Sequence, residues 1–98
     1  MKILQKALIF EWDHGNKGKN FKKHGVADQE CEEVFFDPKK KVLRDPLHSG
    51  REERFMLLGK TKMGRLLFVV FTIRGDRIRI ISARDLNKRE KHLYEEKA

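Results

Sequence analysis

The densest run of potential chemistry in the chain is Arg77-Ile78-Arg79-Ile80-Ile81-Ser82-Ala83-Arg84. Side chains alternate along a strand, so Arg77 and Arg79 share one face and Ile78 and Ile80 the other. Arginines inside a strand are costly if covered, so their side opens to solvent or to an anionic ligand. An exposed sheet face, with the arginine stems lying on apolar surface, explains the run as well as an anion site does. On that bland reading the arginines pair with acids such as Asp76 or Asp85. Strict alternation puts Ser82 and Arg84 on the isoleucine side; a strand that ends there, or a bulge, would release Arg84. A second group is Lys22-Lys23-His24, at the end of a helix candidate. Three cations there suit the negative end of the helix dipole. The functional alternative is an imidazole, with an unperturbed pKa of about 6.5, beside two phosphate-binding lysines. Trp12 and Tyr94 read as core residues.

Other tempting motifs fail on context. Gly59-Lys60-Thr61 looks like the end of a phosphate-binding loop, but Arg54 stands where that motif needs its first glycine. The segment also lies between two strands rather than between a strand and a helix. Arg74-Gly75-Asp76 reads as a turn. His14, His24, His48 and His92 never fall three or four residues from one another or from Cys31, so no metal site and no cofactor is called for. Ser49 has only the adjacent His48, and sequence neighbours rarely face each other.

The elements that must position these groups follow from pattern. Ile9–Trp12 is a short strand candidate. Asp13 stands where a helix N-cap should be, ahead of a helix over Asn16–His24 with Phe21 as its main apolar anchor. Gly15 and Gly18 weaken that helix by roughly 1 kcal/mol each. Asp28–Phe36 forms a second helix, with Cys31, Val34 and Phe35 on an i, i+3, i+4 face. Asp37-Pro38 stops it, and Asp45-Pro46 marks another turn. Strands follow at 41–44, 54–60, 65–73 and 77–83, the last two joined by a Gly75-Asp76 hairpin turn. Leu66–Phe71 is apolar at every position, which marks a central strand covered on both faces. A charged helix over 87–97, anchored by Leu93 and Tyr94, ends the chain. The order β-α-α-β-β-β-β-α predicts an α+β domain with two N-terminal helices packed on a mainly antiparallel sheet.

The whole chain has 98 residues, a single-domain length. Lys and Arg number 23 against 15 Asp and Glu, a net charge of +8 that points to a polyanionic partner, nucleic acid first. Residues 14–25 hold four lysines and no acid, whereas 26–36 hold four acids and no base, so folding must assemble the positive field. The longest apolar run, six residues, is far short of the roughly 20 needed to span a membrane. One cysteine and no leader-like start set the expectation of a cytoplasmic protein with no membrane association.

The ordered motifs Phe10-Glu11-Trp12-Asp13, Asn20 with Lys23-His24-Gly25-Val26, and Glu33-Val34-Phe35-Phe36-Asp37 are followed by Glu53-Arg54, Leu58-Gly59 and Gly64-Arg65. The strand Ile78–Arg84, then Glu90 and Tyr94, complete the set. Together they resemble the BrnT toxin family, a branch of the RelE/ParE-like fold, over nearly the whole chain. The departure is Asp13-His14-Gly15-Asn16, where helix-favouring residues are usual. The resemblance implies helices against a curved, mainly antiparallel sheet with a C-terminal helix. It also implies a ribonuclease toxin that arrests translation, and a cognate BrnA-like DNA-binding antitoxin through which alone it meets operator DNA.

RNA cleavage by such a toxin needs no cofactor: the ribose 2′-OH attacks the adjacent phosphorus and the 5′-oxygen leaves. The protein supplies charge for the phosphorane and a route for protons. Always-protonated arginines suit the first task. Arg65, Arg79 and Arg84 are the candidate phosphate clamps, with Arg77, Lys22 and Lys23 as substrate contacts. His24, and after it Tyr94, are the candidates for proton transfer. The alternatives are a non-catalytic nucleic-acid-binding or antitoxin-type regulatory partner using the same basic sheet, and a structural partner for an acidic protein.

Overall fold

In the computed structural model, which describes residues 8–45 and 52–96, the chain runs β1 (Ile9–Glu11), α1 (Lys19–His24), α2 (Asp28–Glu33), a 3-10 turn (Val34–Phe36) and β2 (Lys41–Asp45). It continues through β3 (Arg54–Lys60), β4 (Leu66–Arg74), β5 (Arg77–Asp85) and α3 (Lys88–Glu95). The Asp45-Pro46 turn, His48 and Ser49 lie outside the described residues in whole or in part. The five strands form one mixed sheet in the order β1-β5-β4-β3-β2. The unbroken apolar run of β4 does occupy the centre. The antiparallel expectation needs one correction: β1 pairs with β5 in parallel, Ile9 opposite Arg77 and Glu11 opposite Arg79. The intervening chain, with its helices, supplies the long crossover that parallel pairing demands.

One sheet face carries the main core: Phe55 and Leu57 of β3, Leu67, Val69 and Phe71 of β4, and Ile78, Ile80 and Ala83 of β5. Cys31, Val34 and Phe35, on the predicted face of the second helical segment, pack against it. Phe35 meets Phe71 edge-on with ring centroids 4.9 Å apart. At Gly59 a Cβ would lie 2.9 Å from Val34 atoms, so only glycine lets β3 pass beneath the 3-10 turn. Burial pushes the Cys31 thiol up to about 12, so it stays protonated and inert. At one end of the opposite face, Leu86 and Tyr94 pack with Leu58, Leu66 and Phe68.

The last strand contains a bulge. Val70 pairs with Ser82 and Phe71 with Ile80, leaving Ile81 as the extra residue. The bulge flips the alternation, so Ala83 joins Ile78 and Ile80 in the core while Ser82 and Arg84 share the face of Arg79. The hairpin after β4 turns at Gly75, whose φ of 61° with no positive φ at Asp76 is the II′ pattern expected of Gly-Asp.

The first helix differs most from expectation. It begins at Lys19, after turns that include Gly18 with φ 71°, and Asp13 does not cap it. Asp13 instead accepts the Gly15 N–H at 2.7 Å and, through its carbonyl, the N–H groups of Asn16 and Lys17. Phe21 is not an anchor: it is 63% exposed. Asn20 takes the inward position, accepting the Ala83 N–H at 3.0 Å. Leu93 is 38% exposed, leaving Tyr94 as the buried apolar anchor of α3. Trp12 is half-buried, its indole N–H donating to Glu32 at 2.6 Å.

Candidate active site

β1 accompanies β5 only as far as Arg79, so among the described residues the outer edge of β5 beyond that point has no neighbouring strand. Two asparagine side chains replace it. Asn16 Nδ2 donates to the carbonyls of Glu11 (2.9 Å) and Ile80 (3.1 Å), and its Oδ1 accepts the Asp13 N–H at 2.9 Å. Asn20 meets Ala83, as described; its Nδ2 has no partner among the described residues. These bonds hold the α1 segment against the exit of β5.

Arg65 fixes the other end of α1. Its Nε and Nη2 fork onto Asp85 at 2.7 and 3.0 Å. Nη1 donates to the Gly25 carbonyl (2.9 Å) and to Glu30 (3.1 Å), and Nη2 reaches the His24 carbonyl at 3.4 Å. All five guanidinium protons are thereby engaged. Arg65 holds the Asp85 carboxyl below the ordinary aspartate range against a smaller opposing effect of burial, and nearby His24 adds to the lowering. His24, Lys22 and Lys23 form the exposed last turn of α1.

Arg84 leaves β5 on the opposite face. Its guanidinium lies 4.3 Å from the Phe68 ring centroid and forks onto Glu90 of α3 at 2.8 and 2.9 Å. Glu90 also accepts the Asn87 N–H while Asn87 Oδ1 accepts that of Glu90, a reciprocal cap. The Arg84 side chain is 40% exposed, and its Nε and one Nη2 proton remain open among the described residues. Through Asp85, which accepts from Arg65 by its carboxylate and from Arg84 by its carbonyl, the two arginines meet at the end of β5.

Arg79 belongs to a different cluster. It forks onto Asp13 at 2.8 and 3.0 Å and reaches Glu11 at 3.3 Å, with its side chain only 15% exposed. Arg79 and the Gly15 N–H hold the Asp13 carboxyl below its usual value. Arg74 joins this cluster through Glu11 and forks onto Glu52. Arg79 and Arg84 therefore do have acidic partners, and these are Asp13, Glu11 and Glu90 rather than the side chains of Asp76 or Asp85. Pattern alone could not find them, because each is brought in from another element. A Cβ at Gly15 would collide with the Arg79 guanidinium, which accounts for glycine there.

Arg79 and Arg84 stand roughly 15 Å apart along β5 at about 3.3 Å per residue, with heads directed to opposite ends of the sheet. At the exit of β5, Arg65 ties Asp85 to the carbonyls of His24 and Gly25 on one face while Arg84 projects from the other toward Glu90; Lys22 and Lys23 are exposed on α1, and Arg79 and exposed Arg77 stand apart beside β1. Tyr94 is buried, and its hydroxyl donates to Asp37 at 2.6 Å. Burial and that carboxylate both raise its pKa, so it holds its proton firmly.

The comparisons agree with this architecture. Among curated proteins none matches the chain. The crystal structure of the Brucella abortus ribonuclease toxin BrnT is similar in fold, with a TM-score of 0.62 at 21% identity, covering 84% of this chain and 100% of that one. The family model described as "Ribonuclease toxin, BrnT, of type II toxin-antitoxin system" matches residues 12–90, from Trp12 to Glu90. The chain belongs to the BrnT family of type II toxin–antitoxin ribonuclease toxins.

Proposed function

We propose that this toxin cleaves RNA without a metal, at the exit of β5. The observation that supports this most is that Arg65 bonds both the His24 carbonyl and the Asp85 carboxylate, which sets the end of α1 that carries His24 beside the end of β5 that carries Arg84. His24 accepts the 2′-OH proton as the oxygen attacks phosphorus, and the resulting imidazolium returns that proton to the departing 5′-oxygen. Arg84, with donors to spare, meets the charge that builds on the phosphorane. Lys22 and Lys23 hold flanking phosphates. Arg65 is a positioning residue, since its donors are spent on His24, Gly25, Glu30 and Asp85. Arg77 and Arg79 lie where RNA would continue along the sheet, and Tyr94 packs the far face.

Cleavage by this route stops translation in the cytoplasm. A BrnA-like antitoxin covers the basic surface, neutralises the toxin and carries the contact with operator DNA. The saturation of Arg65 favours a second reading, in which the surface binds nucleic acid or a regulatory partner without catalysis. One experiment separates the two: pure protein with RNA in excess EDTA. The proposal expects fragments ending in 2′,3′-cyclic or 3′-phosphate and intact DNA. Activity that vanishes with EDTA and returns with Mg²⁺ overturns the metal-free route, and intact RNA under all conditions favours the binding module.

A further inference from the structure

An exposed phenylalanine on the helix that carries His24 calls for a partner. Phe21 is 63% exposed, although it is the only aromatic residue between Trp12 and Phe35. It stands three residues before His24 in α1, so the two share a helix face. Lys19, Lys22 and Lys23 surround it on the same helix, all exposed, and Lys17 lies just before. Asp28 of α2 accepts the Gly18 N–H at the start of the helix, so its carboxylate is occupied there.

The helix is also held rigid. Asn20 ties its inner side to β5, and Arg65 ties its last carbonyls to Asp85 and Glu30. A flat apolar ring is therefore presented at a fixed place, ringed by ammonium groups. That combination fits single-stranded nucleic acid: bases stack on an aromatic face while lysines follow the phosphates. A purely acidic protein segment, without apolar side chains, would satisfy the lysines but leave the ring without purpose.

We infer that Phe21 is a base-stacking platform, which holds the nucleotide next to the scissile phosphate so that the 2′-OH lies within reach of His24. This inference rests on the ribonuclease reading and adds a substrate-positioning contact to it. Stacking is tolerant of base identity, so Phe21 contributes grip and register rather than a strict sequence code.

The test uses the full chain and a single-stranded oligoribonucleotide with 2′-O-methyl groups, which binds without being cleaved. Phe21→Ala should weaken binding by about five-fold or more, and Phe21→Trp should retain it. The slope of log affinity against log salt should stay the same in Phe21→Ala, because no phosphate contact is lost. An oligonucleotide stripped of its bases should bind wild type and Phe21→Ala equally. Equal affinity of wild type and Phe21→Ala for the intact oligonucleotide overturns the inference alone. So does a Phe21→Ala defect that appears with poly-glutamate and not with RNA, which assigns the face to an acidic protein. A wild-type chain that holds no RNA overturns the ribonuclease reading and this inference with it.

Discussion

Arginine is too often read as free positive charge, and Arg65, Arg74, Arg79 and Arg84 show why that is unsafe. Each has a carboxylate within bonding distance, yet they differ in what they have left. Arg65 has no donor to offer. Arg79 is nearly buried and forked onto Asp13. Arg84 keeps two donors and an open side. Lysine retains charge but loses the planar fork, so the three should respond differently to Arg→Lys exchange. Arg84→Lys should lower single-turnover cleavage ten-fold or more, about 1.4 kcal/mol in barrier, with little change in melting. Arg79→Lys should instead lower stability, by about 1–2 kcal/mol, and leave the rate within a few-fold. Rates at saturating enzyme, read beside circular dichroism melts, give both numbers. A slow Arg79→Lys with a native melt would return Arg79 to the reacting phosphate. Lys62→Arg, at an exposed hairpin, serves as the silent control.

Among the elements, β5 does the most. Its first half is paired on both sides, and its second half has lost a strand neighbour to two asparagines. The bulge at Ile81 lets one strand place Ile78, Ile80 and Ala83 in the core and Arg79, Ser82 and Arg84 on the other face. A buried edge without partners would cost more than these side chains do to order. Asn16→Ala and Asn20→Ala should therefore each cost about 1–3 kcal/mol, since each leaves a buried main-chain group of β5 unpaired. Urea unfolding midpoints measure this directly. Asn20→Ala should also slow cleavage, because it loosens the helix that carries His24; Asn16→Ala should affect cleavage less. If both variants unfold at the wild-type midpoint, water is satisfying that edge and the account of β5 fails.

For the molecule as a whole, the +8 charge is unevenly available. The paired arginines contribute to the total but present little unopposed field, so the attraction for a polyanion falls mainly to lysines on α1 and elsewhere. The acids that neutralise the arginines also couple folding to pH. Arg79 holds Asp13 low, Arg74 holds Glu52, Arg65 holds Asp85 and Arg84 holds Glu90, in each case with burial opposing. For Asp37, burial raises the pKa but is outweighed by the Tyr94 hydroxyl and the N–H groups of Lys39 and Lys60. A carboxyl whose pKa is depressed in the fold binds protons more readily unfolded, so its stabilisation is complete above its unfolded pKa. It is lost as pH falls through the lower folded value. Stability should accordingly be level with respect to these groups from about pH 5 to 7 and fall progressively below about pH 4. Urea midpoints from pH 3 to 7 check the sign; a protein that gains stability on acidification would show that these pairs contribute nothing.

Much of this was legible in the residues themselves because it depends on near neighbours. The apolar run at Leu66–Phe71 predicts a central strand, Gly75-Asp76 a tight hairpin, and the spacing of Cys31, Val34 and Phe35 a buried face, since periodicity and turn chemistry are local. The motif order from Phe10 to Tyr94 likewise pointed to the BrnT family. Tertiary structure decided what depends on distance along the chain. It showed Phe21 outside and Asn20 inside, because an unpaired N–H sixty-three residues away needed an acceptor more than the core needed a ring. It paired Arg79 with Asp13 across sixty-six residues, and it moved Arg84 across the sheet through one extra residue at Ile81. No window of sequence contains both partners of such a contact, so charge that looked free along the chain became, on folding, charge already answered.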